Sequence, residues 1–356
     1  MTGTTTRRSL ADLGRASALT RPLAAILLAT VIAGCATQTR ETSVEGSTDS
    51  DSTHKTYGPL GVGHPLIGSL WNVEERRDLS IGEFTRLASN SVFILLGEQH
   101  DNPEHHLLQA QIIEALAHQD RHPVVALEMI DVDAQGGVDA CFADGVCSAD
   151  EFRTSVSWDD SGWPAWEIYE PVISSALQNG VSVVAANLPR EKAKTLAQDA
   201  GSSQSRAIAE ELGIQAPLSP GLRAAVTEEI RNTHCGHAPE SMIDGMILAQ
   251  RARDAQMAER LYLIQGVHRG NQIVLIAGFG HTRKDRGVPS YLKRLAPFSP
   301  VIALAFIEVD DGWTDLADVA EAFGGTIPYD FVGFTERASD EDPCEAFREQ
   351  LERMTE

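Results

Sequence analysis

The stretch LLGEQHDNPEHH at residues 95 to 106 places Glu98, His100, His105 and His106 directly behind the apolar run VFILL. Carboxylates and imidazoles are the groups that exchange protons near neutral pH and that ligate divalent metals. A second segment echoes the first: Gly278-Phe279-Gly280-His281 follows QIVLIA as Gly97-Glu98-Gln99-His100 follows VFILL. Glu128 lies in VVALEM and Asn187 closes VSVVAAN, so four apolar runs lead into a residue suited to ligation or proton transfer. In both echoes a glycine lets the chain turn sharply and come close to a ligand.

Two chemistries fit these types. His100, His281, Glu98 and Glu128 could hold a divalent metal in an open site of imidazoles and carboxylates. Alternatively, His100 or His281 could accept a proton from water while Glu98 or Glu128 orients the imidazole. The spacing is not H-E-x-x-H, and no G-x-S-x-G offers a serine nucleophile, so a hydrolase built here would activate water. Taken alone, each residue has a plain structural role, a buried acid paired with arginine or a histidine capping a helix. Four of them at equivalent strand ends argue for a site.

Further candidates lie around it. At helical spacing His106 shares a face with Gln109 and Ile113, and His105 with Leu108 and Ile112, so only one of the pair is expected to point back at the strand end. His106 is the one retained. In SMIDGMILAQRARDAQMAERL, Arg253 and Asp254 fall on apolar stripes, where they either pair with each other or leave Arg253 to clamp a carboxylate. Arg190, in Asn187-Leu188-Pro189-Arg190, is a similar candidate. WPAWEIYEP supplies aromatic packing residues and Tyr169, a phenol able to ligate haem iron.

The elements that must position these groups are five short apolar runs at 92–97, 124–129, 181–187, 272–278 and 301–309. Continuous apolar character marks strands buried on both faces. A helix is expected over 103–118, with Asn102 as cap and Pro103 in the first turn. Strand, helix, strand implies parallel pairing, and ligands in open parallel sheets bind outside the strands' carboxyl ends. The expected fold is therefore α/β, a mostly parallel central sheet flanked by helices. A helical insertion at about 190–265 falls between the third and fourth core strands.

Residues 1–34 have the features of an export signal, with Arg7, Arg8, Arg15 and Arg21 before PLAAILLATVIAGC, too short to span a bilayer. Ile32-Ala33-Gly34-Cys35 resembles a bacterial lipobox, which makes Cys35 the lipidated mature N-terminus. With Ala36 next, the pattern resembles that sorted to the outer membrane. Residues 35–60 form a polar tether, and 61–356 form the folded domain. The chain carries 51 acids against 29 bases, a net charge of -22, which argues against a nucleic-acid partner. Export makes Cys141, Cys147, Cys235 and Cys344 disulfide candidates; of three connectivities, Cys141–Cys147 and Cys235–Cys344 are favoured.

The segments GEQHDNPEHHLLQ, ALEM, WxxYxP, NLPR, HCG, QxxRDxxMA, GFGHTRKDRGVP and DPC together resemble the ChaN-type haem-binding lipoproteins. More distantly they resemble Tiki and TraB proteins and erythromycin esterases. The resemblance implies an envelope lipoprotein that binds haem and serves iron uptake, on an α/β core. It also implies that Glu98, His100, Glu128 and His281 occupy the superfamily's active-site positions. Haem would be held by a Tyr or His ligand, with arginines on its propionates. The alternative is a metal-dependent peptidase or esterase. Expected partners are haem or a small-molecule or peptide ligand, the membrane through the lipid, and a second copy of the chain.

Overall fold

The computed structural model describes residues 61–119, 121–143, 147–342, 344, 345 and 348. The signal, Cys35 and the tether lie outside them. Short strands β1 (Leu70–Asn72) and β2 (Arg77–Leu79) precede α1 (Ile81–Ala88), β3 (Phe93–Glu98), α2 (Pro103–Ala117) and β4 (Pro123–Asp131). Next come α3 (Gln135–Ala143), α4 (Ala149–Ser155), α5 (Trp166–Gln178) and β5 (Ser182–Asn187). Four helices follow, α6 (Arg190–Gln198), α7 (Ser203–Glu211), α8 (Pro220–Thr233) and α9 (Ile243–Val267), before β6 (Gln272–Gly278). The chain then runs through α10 (Phe279–Thr282), α11 (Val288–Leu295), β7 (Val301–Glu308), α12 (Leu316–Ala322) and β8 (Phe331–Thr335).

One eight-stranded sheet results, in the order β2-β1-β8-β7-β3-β6-β4-β5. From β8 to β5 every pairing is parallel; β1 and β2 add an antiparallel edge. The mostly parallel α/β sheet is thus the fold expected, with α6 to α9 inserted between the third and fourth core strands.

Alternation explains why the strands are apolar throughout. Ile94, Leu96, Val125, Leu127, Val274 and Ile276 face α2 and α5, while Phe93, Leu95, Val124, Ala126, Ile273 and Leu275 face α9 and α11. Burying each such side chain contributes about 1.5–3 kcal/mol, so a strand covered on both faces is held far more firmly than an edge. β3 is covered along its whole length, and it is β3 that carries Glu98.

Three strands were not anticipated. β1 and β2 are three residues each, below what periodicity can show. β8, FVGFT, carries Gly333, where a Cβ would come within 2.8 Å of both Leu70 Cδ2 and Phe306 Cδ1. A glycine weakens a strand signal, yet here close packing demands one.

Both expected disulfides are bonded, Cys141–Cys147 and Cys235–Cys344, each with Cα atoms 5.4 Å apart. Among the described residues no helix is long and apolar enough to cross a membrane.

Candidate functional site

Strand order is what gathers the site. β6 inserts between β3 and β4, so the carboxyl ends that carry Glu98, His281 and Glu128 are neighbours in space although far apart in sequence. The register adds precision, since Glu98 lies opposite Gly278 and Gly97 opposite Ala277.

Neither Gly97 nor Gly278 adopts positive φ, so the sharp-turn role expected of the glycines gives way to close approach. A Cβ on Gly97 would overlap Thr282 Oγ1 and lie 2.9 Å from Phe279 Cα; one on Gly278 would lie 2.8 Å from His100 Nε2. Glycine lets α10 cross β3 at backbone contact and lets the His100 ring rest on β6.

Glu98 is buried and is the hub of one cluster. Its Oε1 accepts from Tyr169 OH at 2.6 Å and from His100 Nδ1 at 2.9 Å. Its Oε2 accepts from Gln109 Nε2 at 2.8 Å and lies 3.3 Å from His106 Nδ1. Both nitrogens of His106 face acceptors, Nδ1 the Gln109 Oε1 at 3.2 Å and Nε2 the His100 carbonyl at 3.1 Å, an arrangement that favours the protonated ring. Burial opposes that charge, but the Glu98 carboxylate outweighs it and raises the His106 pKa. In return, and against its own burial, Glu98 is held well below the usual carboxylate range by His106 and His100.

His105 behaves oppositely. Its Nδ1 accepts from the Gln99 amide at 2.9 Å and its Nε2 donates to Thr335 Oγ1 at 2.8 Å, a neutral tautomer whose pKa burial lowers to about 3. Both histidines of the pair therefore reach back to the motif, one to its carboxylate and one to its backbone. The expectation that only one could do so is corrected.

Glu128 and His281 make the second cluster. The register between β4 and β5 slips after Leu127, where Leu127 opposes Ala185 but Asp131 opposes Asn187, and Glu128 lies in that irregular stretch rather than at the strand's end. Its Oε2 accepts from the Gly278 amide at 2.8 Å and its Oε1 lies 3.1 Å from His281 Nε2. On the other side of the ring, His281 Nδ1 meets Asp254 Oδ1 at 2.6 Å. Burial works against charge on His281, but Glu128 and Asp254 prevail and push its pKa to about 10. Glu128 is correspondingly drawn down to about 2 despite burial.

A pH dependence follows. The folded pKa of His281 lies above its unfolded value of about 6.5, so its contribution is fully present below that pH and is lost as pH rises toward about 10. Resistance of the protein to urea should fall steadily between these two values, and His281→Gln should flatten that slope.

His100 links the clusters and is the one member with an open side chain, 35% exposed. Its Nδ1 is fixed by Glu98, and its Nε2 lies 4.0 Å from Glu128 Oε2, beyond hydrogen-bond range. The Trp163 ring stands edge-on to it with centroids 4.9 Å apart. A carboxylate that holds one imidazole nitrogen orients the other as a ligand. Burial opposes protonation of His100, but the Glu98 bond and the Glu128 charge raise its pKa, so a ligand at Nε2 competes with a proton.

The structure thus brings Glu98, His100, Glu128 and His281 together, but not as a metal cage. Among the described residues no group of three or more His, Cys, Asp or Glu is arranged to hold a metal ion. Glu98 spends both oxygens on Tyr169, His100 and Gln109, and Glu128 spends its pair on Gly278 and His281. Tyr169 and His106, the candidate haem contacts, are engaged within the cluster. Both are buried, and the Tyr169 hydroxyl is committed to Glu98, with burial and that carboxylate raising its pKa well above the ordinary value. Asn187 turns onto its own chain, where Oδ1 accepts from the Leu188 amide. Arg190 is exposed and Arg253 half-buried; both act electrostatically on Asp131, and Arg253 also on Glu128.

Asp254 and Gln109 were not assigned these roles from sequence. Asp254 pairs with His281, not with Arg253. The signal was available in the i, i+4 spacing of Gln250 and Asp254, since Gln250 Nε2 also lies 3.2 Å from His281 Nδ1.

The protein can be set beside known ones. No curated protein matches the chain. A structure of cofacial heme binding to ChaN of Campylobacter jejuni is similar at 22% identity, covering 74% of this chain and 95% of that one with a TM-score of 0.57. An erythromycin esterase mutant in its open conformation gives 15% identity over 67% of this chain and 76% of that one, at a TM-score of 0.36. The first likeness establishes shared fold. The family described as haem-binding uptake, Tiki superfamily, ChaN matches residues 84–292, well over half the chain, and the protein belongs to that family.

Proposed function

We propose that the protein binds haem for uptake at the cell envelope, with His100 Nε2 as the ligand to the iron. Family membership supports haem as cargo. The observation that carries the ligand assignment is that His100 alone among the clustered groups combines an open side chain with a nitrogen left over after its hydrogen bonding is met. The donor set fits: a neutral imidazole oriented by a carboxylate is a strong iron ligand, and Trp163 offers an aromatic wall. Arg253 and Arg190 are the cations suited to propionates. Lipidation at Cys35, display at the outer membrane facing the periplasm, and pairing with a second copy belong to the same reading. The metal-hydrolase reading loses ground because its carboxylates are engaged by their neighbours.

Hemin titration followed by the Soret band tests the assignment. His100→Ala should weaken binding at least about tenfold, the ~1.4 kcal/mol equivalent of one modest ligand contact, while Tyr169→Phe leaves the Soret position unchanged. Identical titrations for the parent chain and His100→Ala would remove His100 from the role.

A further inference from the structure

At the opposite end of the sheet lies a groove of about 500 Å³, bordered by Tyr262, Leu263 and Arg269 near the end of α9 and by Leu295, Pro297 and Phe298 at and just past the end of α11. Since α9 feeds the start of β6 and α11 the start of β7, this groove faces the strands' amino ends, away from the histidine clusters. Its apolar residues are unusually open: Phe298 is 97% exposed and Leu263 is 52%. Scattered exposed apolar residues need no explanation, but a contiguous group beside a groove marks an interaction surface.

Charge identifies the partner. The chain has 51 acidic residues, yet none falls between Arg260 and Lys284 or between Arg286 and Ile307. The same segments expose Arg269, which borders the groove, and Lys293 and Arg294 in the last turn of α11, which leads into it. We propose that this face docks on an anionic lipid surface, the apolar side chains entering beneath the headgroups while Arg269 and Lys293 meet lipid phosphates. An apolar face rimmed with cations is the pattern of interfacial membrane binding. A second copy fits less well, because a two-fold contact sets the same basic rim against itself.

Reach is compatible. Gly61, the first described residue, packs near Val309, just past the end of β7. The stretch from Cys35 to Leu60 extends at most about 85 Å, against roughly 27 Å for a strand the length of β7. A lipid on Cys35 therefore leaves the groove free to touch the same bilayer.

The full-length chain carrying Phe298→Trp, mixed with phosphatidylcholine vesicles with and without phosphatidylglycerol, tests this. With phosphatidylglycerol and brominated acyl chains the added indole should shift to the blue and be quenched, relative to the parent chain's own tryptophans. Arg269→Gln and Lys293→Gln should each lower the docked-to-free ratio about fivefold, the ~1 kcal/mol of one basic residue beside an anionic leaflet. Emission identical with and without the anionic lipid would overturn the proposal. So would a concentration-dependent blue shift without lipid, which indicates a second copy. Position 298 is almost wholly solvent-exposed, so the substitution does not put folding at risk.

Discussion

Glu98→Ala is expected to lower the unfolding free energy by about 3–5 kcal/mol, the cost of removing one partner from a buried charge pair. Four donors converge on this carboxylate: Tyr169 OH, His100 Nδ1, Gln109 Nε2 and the His106 cation. Alanine takes the shared acceptor from the buried Tyr169 hydroxyl and Gln109 amide, and His106 must give up its proton or remain a buried charge with only neutral partners, Gln109 Oε1 and the His100 carbonyl. The loss should appear as a lower urea midpoint with an unchanged slope. Adding His106→Leu should recover part of it, because the stranded imidazolium goes too. Glu83→Ala is the natural comparison, since that carboxylate lies at the surface, where it completes a capping box with Ser80 and neighbours Arg77, and its loss should cost clearly less. Equal losses for Glu98→Ala and Glu83→Ala would show that the buried cluster is not a charge hub.

Gly97→Ala should be nearly as damaging, at about 1–3 kcal/mol or more, for a steric reason. The added carbon meets Thr282 and the Phe279 backbone, so either β3 or α10 must shift. β3 is buried throughout and paired on both sides, which makes α10 the element that yields. Because α10 carries His281, a displaced α10 lengthens the contacts to Glu128 and Asp254. The expected signature is therefore double: a lower urea midpoint, and a weaker decline of stability between pH 6.5 and about 10. Retention of the parent's full alkaline slope would show that α10 does not move.

Apolar continuity revealed the five core strands because burial on both faces leaves no room for polar alternation. The polar residues that follow those runs were visible for the same reason, as Glu98 and Glu128 interrupt stretches that are otherwise greasy. What could not be seen was neighbourhood. Nothing local places β6 between β3 and β4, yet that order is what brings His281 to Glu128. Burial was equally hidden: Tyr169 and His106 have types that ligate iron, but their shared carboxylate draws them inward. Asp254 was noticed as an odd acid on an apolar stripe, and only the fold shows that its partner lies 27 residues away on another element. β8 escaped because Gly333, required by packing, weakens the strand signal.

Buried carboxylates favour the protonated forms of His106 and His281, burial keeps His105 neutral, and the fourth histidine, His100, presents a nitrogen to haem. Nitrogen NMR of histidine-labelled protein near neutral pH, before and after hemin, tests this most directly. Before hemin, His106 and His281 should be doubly protonated and His105 neutral with its proton on Nε2. After hemin, the signals of His100 should be shifted or broadened by the iron, with His105 least affected. Hemin that binds while the His100 nitrogens keep their original shifts would contradict the account.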